Sequence, residues 1–223
     1  MRSFLLVLLS ALFLNAQAVP LADAPGAAER WAESFAGFDE ADRRAPPPSG
    51  GVLFVGSSSI RMWDGLEASF GDGPPVIKRG FGGSQMADCA RHLERLVTRY
   101  RPQQVFVYAG ENDLAEGRTP QQVLESFASF ADGVQRALPG TRIVYLSIKP
   151  SPLREALLPQ VREANRLIER HVAARPHLAY IDLHTPMLGA DGRPRAELFG
   201  ADRLHLNAQG YRLWQQLIAA HLL

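Results

Sequence analysis

The 223-residue chain holds a single cysteine, Cys89. No intramolecular disulfide can form, and no thiolate cage for a zinc ion can be assembled. Cys89 falls on an apolar helical stripe and reads as a small buried hydrophobe, not as a reactive thiol. An excess of charge of one sign is also lacking: 24 Lys and Arg face 23 Asp and Glu, for a formal net charge of +1. Without a basic stripe or an acidic tail, nothing points to a nucleic-acid partner. No lysine stands in P-loop spacing, so that route to nucleotide phosphates is closed. No Cys/His cluster calls for a metal, and neither a metal nor another cofactor is expected. Internal repeats and low-complexity tracts are missing too.

Long apolar runs occur in one place only. "MRSFLLVLLSALFLNAQAVP" has a basic start at Arg2, an apolar stretch over residues 4–14 and the small-x-small site Ala16-Gln17-Ala18. The stretch is shorter than the ~20 residues a membrane span needs. The pattern predicts a cleavable secretory signal over residues 1–18, cut after Ala18, and hence a secreted or periplasmic protein. The alternative is an uncleaved anchor. No cysteine follows the site, so neither a lipid anchor nor any stable membrane anchor is expected. Loss of Arg2 would leave basic and acidic residues equal in number.

The rest has the ordinary composition of one globular domain, with 46% hydrophobic and 21% charged residues in the whole chain. Residues 19–50 read as an N-terminal helical arm, with Trp31, Phe35 and Phe38 at helical spacing, followed by the breaker "APPPSGG". The arm is expected to pack on the main domain, residues 51–223. There, five short β-rich runs ("VLFVG", "VIKRG", "QVFVYAG", "RIVYLSI" and "LAYIDL") alternate with amphipathic segments. Helices are predicted over residues 85–100, 121–138, about 155–174 and 208–221, the last N-capped by Asn207. Near-continuous apolar strands between such helices predict an α/β fold whose parallel sheet is covered on both faces. Ligands of such sheets bind beyond the carboxyl ends of the strands.

The residues just past those ends therefore carry the chemistry. "GSSS" at 56–59 sets hydroxyls where a strand turns into a helix, the setting of a nucleophile, an N-cap or a phosphate cradle. A serine nucleophile needs a base held by a carboxylate. Among six histidines, His205 has Asp202 three residues before it, one helical turn away. His184, just past the fifth strand, competes for the role. "GFGG" at 80–83 can bring bare backbone N–H groups to a ligand, and "AGEND" supplies the Asn112 amide; an oxyanion needs such fixed donors. Alone, each motif is equally a turn or a surface pair. Together, at the strand ends of one sheet, they supply every part of an acyl-transfer site.

Over residues 50–215 these motifs resemble the SGNH hydrolases, the GDSL esterase/lipase superfamily. The resemblance implies a flavodoxin-like three-layer α/β/α sandwich around a five-stranded parallel sheet. Gly56-Ser57-Ser58 matches the first block, with Ser58 as nucleophile and Ser57 in place of the usual aspartate; Ser59 is one slip of register away. Gly83 corresponds best to the oxyanion glycine, with Gly82 next to it. Gly110-Glu111-Asn112-Asp113 matches the third block in full, and Asp202 with His205 the fourth. The implied reaction is ester hydrolysis through an acyl-enzyme on Ser58, with His205 as base, Asp202 as its partner, and the Ser58 and Gly83 N–H groups with the Asn112 amide as the oxyanion hole. The expected partner is a small-molecule or glycan ester, such as an acetyl ester of a carbohydrate. A lipid-directed esterase or lysophospholipase is the alternative within the class, and a non-catalytic anion- or glycan-binding module the alternative outside it. Oligomeric state is left open.

Overall fold

The computed structural model describes residues 30–71 and 73–223. The signal sequence expected over residues 1–18 lies outside them. Helix α1 (Ala32–Arg44) precedes strand β1 (Val52–Gly56), short helix α2 (Ser58–Arg61) and strand β2 (Val76–Gly80). Helices α3 (Met86–Arg91) and α4 (Leu93–Leu96) lead to strand β3 (Gln104–Tyr108). Helices α5 (Glu111–Ala115) and α6 (Pro120–Ala137), strand β4 (Arg142–Leu146), helix α7 (Leu158–Ala173), strand β5 (Leu178–Ile181) and helix α8 (Ala208–Ala219) complete the order.

The five strands form one wholly parallel sheet in the order β2-β1-β3-β4-β5. The chain leaves β1 toward one edge to make β2, then returns to pair β3 on the other side of β1. That reversal is the topological switch point at which open α/β sheets bind ligands. Although most strand residues are apolar, they still alternate between two cores. Leu53, Val55, Val105, Val107 and Tyr145 pack with residues of α1, α3, α6 and α7. Val52, Phe54, Phe106, Tyr108 and Leu146 pack with Trp214 and Ile218 of α8 and Ile60 of α2. Helices thus cover both faces, and the layers are the three expected.

The helices start where sequence chemistry allows. Thr119 and Gln122 form a reciprocal capping box with Pro120 in the first turn of α6. The Asn207 side chain accepts from the N–H groups of Gln209 and Gly210 at the head of α8. Two predicted helices are corrected. The segment 85–100 is broken at His92 into α3, α4 and a 3-10 turn over Thr98–Tyr100. The His92 ring is packed on Phe35 of α1 and on Trp31, the residue just before that helix, at centroid distances of 4.8 and 6.3 Å. Tertiary packing there overrides the helical period. The segment from 155 begins as a 3-10 helix, Pro152–Leu157, irregular at Arg154, before α7 proper. Strands β3, β4 and β5 end earlier than their apolar runs, because residues 109–110, 147–148 and 182–183 already turn into the loops beyond the sheet.

Candidate active site

Gly56 closes β1 at φ +144°, and a Cβ there would lie 1.9 Å from the Tyr108 carbonyl oxygen on β3. Only glycine fits, and the tight pairing carries the chain straight into α2. The Ser57 N–H donates to the Tyr108 carbonyl at 3.0 Å, and Ser57 caps α2 in an extended conformation. Ser57 and Ser59 are buried, at 3% and 1% exposure. Ser58 is half-buried and lines a cleft of about 720 Å³ at the sheet's carboxyl end. Of the three hydroxyls, the middle one reaches the cleft.

Asp202 and His205 sit in the loop between Phe199 and Leu206, which pair as an antiparallel bridge. The Gly200 N–H donates to the His205 carbonyl at 2.8 Å and tightens the loop. The segment is a turn, not the helical turn behind the i, i+3 expectation. The two residues meet for another reason. Asp202 Oδ1 accepts the backbone N–H groups of Leu204 and His205 at 3.0 and 2.9 Å, folding the chain around its own carboxylate. Asp202 Oδ2 then lies 2.6 Å from His205 Nδ1, and His205 Nε2 lies 2.9 Å from Ser58 Oγ. The hydrogen bond to the His205 ring, aided by the two backbone donors, lowers the Asp202 carboxyl to about 2. An ionised carboxylate can only accept, so Nδ1 carries a hydrogen, which leaves Nε2 as the ring nitrogen able to accept from the hydroxyl.

His184 is placed differently. Its Nδ1 donates to the Ile148 carbonyl at 3.1 Å, and its backbone N–H to Ser147 Oγ at 2.9 Å. Burial pushes the ring's pKa down. It holds the loops after β4 and β5 together and does not line the cleft.

Gly82 and Gly83, past the end of β2, line the same cleft as Ser58. Gly83 adopts φ +74°, in the left-handed region that glycine enters without strain. Their carbonyl groups are held by the arm: Trp31 Nε1 donates to Gly82 O at 2.9 Å and Arg30 Nη2 to Gly83 O at 3.2 Å. Asn112 is the second residue of α5, so a helical turn fixes its backbone. Its Nδ2 donates to Ser84 O at 3.0 Å, and its Oδ1 accepts from both terminal nitrogens of Arg154 at 3.1 Å.

Beneath Asn112 lies a buried polar network. Glu111 takes hydrogen bonds from Tyr108 at 3.0 Å, from Ser151 at 2.5 Å and from Lys149. Burial alone would raise the Glu111 carboxyl, but the Lys149 ammonium and the Arg154 guanidinium outweigh it and hold the pKa below its ordinary value. Burial pulls Lys149 down against the attraction of Glu111. Asp113, also buried, takes the Met86 N–H on both carboxylate oxygens at 3.1 Å and so anchors the start of α3. Burial pushes its carboxyl up to about 6, against that hydrogen bond.

Sequence reasoning named Ser58, Gly82, Gly83, Asn112, Asp202 and His205, and the structure gathers them at one cleft, with Asp202 behind His205. It missed Arg30 and Arg154, and gave Trp31, Lys149 and Ser151 no role at the site. Lys149 and Ser151 carried a signal, since both follow a strand. Arg154 carried none.

A doubly covered parallel sheet with a carboxylate–imidazole–hydroxyl chain beside glycine and amide donors defines a class, the α/β serine hydrolases of the acyl-transfer type. The chain belongs to the GDSL-like Lipase/Acylhydrolase family, which matches residues 51–213, and is an ester-hydrolysing enzyme. Solved structures agree on the fold. A Streptococcus pneumonia protein named for platelet activating factor superposes with a TM-score of 0.77 at 19% identity, covering 87% of this chain and 94% of that one. A GDSL-like lipase from Bacteroides thetaiotaomicron gives 0.69 at 20% identity, covering 84% and 96%. An acetylxylan esterase from Geobacillus stearothermophilus gives 0.61 at 15% identity, covering 78% and 94%. No curated protein sequence matches the chain.

Proposed function

We propose that the protein is a secreted or periplasmic serine esterase that removes small acyl groups through an acyl-enzyme on Ser58. The observation that carries this reading is the unbroken chain Asp202–His205–Ser58, with contacts of 2.6 and 2.9 Å. Ser58 Oγ attacks the ester carbonyl as His205 Nε2 takes its proton, and Asp202 stabilises the imidazolium. Ser58 is the first residue of α2, so its N–H has no acceptor within the helix. With the Gly83 N–H and Asn112 Nδ2 it receives the oxyanion. His205 then gives its proton to the departing alcohol, and water attacks the acyl carbonyl by the same path to free Ser58.

The cleft lining supports a small acyl group. Trp31 and Leu204 are its large apolar members, among arginines, Glu33, Asn112 and glycines. A long acyl chain would need a more continuous apolar wall. An acetyl ester of a carbohydrate fits such a polar, open mouth. The expected signal over residues 1–18 supports export. A panel of p-nitrophenyl esters from acetate to decanoate is the test: kcat/KM should fall as the acyl chain lengthens. A preference for decanoate over acetate would favour the lipid-directed reading, and activity retained by Ser58→Ala would remove Ser58 from the chemistry.

A further inference from the structure

Asn112 can serve an oxyanion only if its amide points the right way. Its Nδ2 carries two hydrogens. One is spent on Ser84 O, which leaves the second for the cleft. A flipped amide would set its oxygen against the Ser84 carbonyl and its NH₂ against the Arg154 guanidinium, donor facing donor. Arg154 therefore fixes the orientation together with the Ser84 carbonyl, through two hydrogen bonds of 3.1 Å to Oδ1. The guanidinium is planar, forked and permanently charged, which suits this task better than an ammonium.

A fixed cation on Oδ1 also draws electron density from the amide nitrogen. Hydrogen-bonded groups in a low-dielectric site polarise one another, so Nδ2–H becomes the stronger donor. Arg154 is itself kept in place. Its Nη1 lies 3.6 Å from Glu111 Oε1, the carboxylate held by Lys149, Ser151 and Tyr108. Its element is tied to the histidine loop, where the Leu153 N–H donates to the Arg203 carbonyl at 2.9 Å. The Arg154 side chain is 21% exposed, so this contact is not a loose surface pair.

We infer that Arg154 is a positioning residue of the oxyanion site: it orients and polarises the Asn112 amide, and the buried Glu111–Lys149–Ser151 network holds it there. The inference rests on the reading of Asn112 as an oxyanion donor.

The test is a double-mutant cycle over Arg154→Ala and Asn112→Ala, with p-nitrophenyl acetate as substrate. This ester is neutral, so Arg154 cannot act on it by pairing with a substrate charge. Arg154→Ala should lower kcat by about 10- to 100-fold, the scale on which small misplacements act, with KM little changed. Asn112→Ala should cost ~10²–10³ in kcat. The double variant should be no slower than Asn112→Ala alone. Added guanidinium chloride at millimolar levels should restore part of the rate to Arg154→Ala and none to the double variant. Arg154→Lys, which keeps the charge without the fork, guards against a folding defect and should still lose kcat while melting like the parent. A full Arg154 effect persisting in the Asn112→Ala background, or an effect confined to KM, would overturn the inference. Failure of a fluorophosphonate to label Ser58 in the parent enzyme would instead sink the underlying reading of the site.

Discussion

His205 Nε2 lies 2.9 Å from Ser58 Oγ, although 147 positions separate the two residues in the chain. The contact joins the 199–206 loop to the first residue of α2, and burial withholds the flanking serines from it. Ser58→Ala should abolish ester hydrolysis, whereas Ser57→Ala and Ser59→Ala should keep most of it. Peptide mapping after fluorophosphonate labelling reads the same choice directly. An adduct on Ser59 would shift the nucleophile by one residue.

The pH dependence should belong to the imidazole. The ring's hydrogen bond holds the Asp202 carboxyl at about 2, so Asp202 stays ionised throughout the range where a histidine titrates. Only a neutral imidazole can take the Ser58 proton, so activity should fall as the medium is acidified. Asp202→Asn removes the charge that fixes the ring tautomer, and kcat should drop by roughly 10²–10⁴. His184→Ala should leave the pH–rate profile in place, because that ring serves the Ile148 carbonyl. An unchanged kcat in Asp202→Asn would remove Asp202 from the relay.

Trp31 braces the glycine loop from outside the family-matched segment. It packs edge-on against Phe81, with centroids 5.3 Å apart, and donates Nε1 to Gly82 O. Trp31→Phe keeps an aromatic ring and deletes the donor. It should cost about 1 kcal/mol of stability, the usual net worth of one hydrogen bond, and should slow turnover of a neutral ester by loosening Gly82 and Gly83. Trp31→Ala should cost about 3–5 kcal/mol by leaving a cavity. Thermal unfolding and kcat measured on one preparation check both. Parent-like turnover in Trp31→Phe would reduce the arm to a packing element.

What the sequence made legible follows from local chemistry. Strand ends were readable because glycine and serine mark the turns after β1 and β2, and the start of α8 because Asn207 is a natural cap. The three adjacent hydroxyls, in contrast, look alike in sequence. Family resemblance chose Ser58, and burial gives the physical reason. Asp202 and His205 were paired by a helical spacing that the chain does not adopt there; the carboxylate's own backbone hydrogen bonds bring them together. Arg154 and Trp31 were illegible as site residues because their partners lie 42 and 51 positions away. Neither periodicity nor a short motif reports a contact of that range.

Asp113 gives a stability prediction with a definite sign. The carboxyl is 2% exposed and is pushed up to about 6 from an ordinary 3.8, chiefly by burial. A raised native pKa means that the folded state prefers the protonated acid. The associated stabilisation is full below about pH 3.8 and is lost as pH rises through about 6. Relative to its protonated form, the ionised group at neutral pH therefore costs on the order of 3 kcal/mol, at 1.36 kcal/mol per pKa unit. Asp113→Asn keeps an oxygen to accept the Met86 N–H and cannot ionise. Between pH 4 and 7 the parent should lose stability relative to Asp113→Asn, with the gap widening toward neutrality. Denaturant titrations of both proteins at several pH values measure that gap. Parallel profiles would show that Asp113 titrates alike in the folded and unfolded chains, and that its hydrogen bond to Met86 offsets the whole cost of burial.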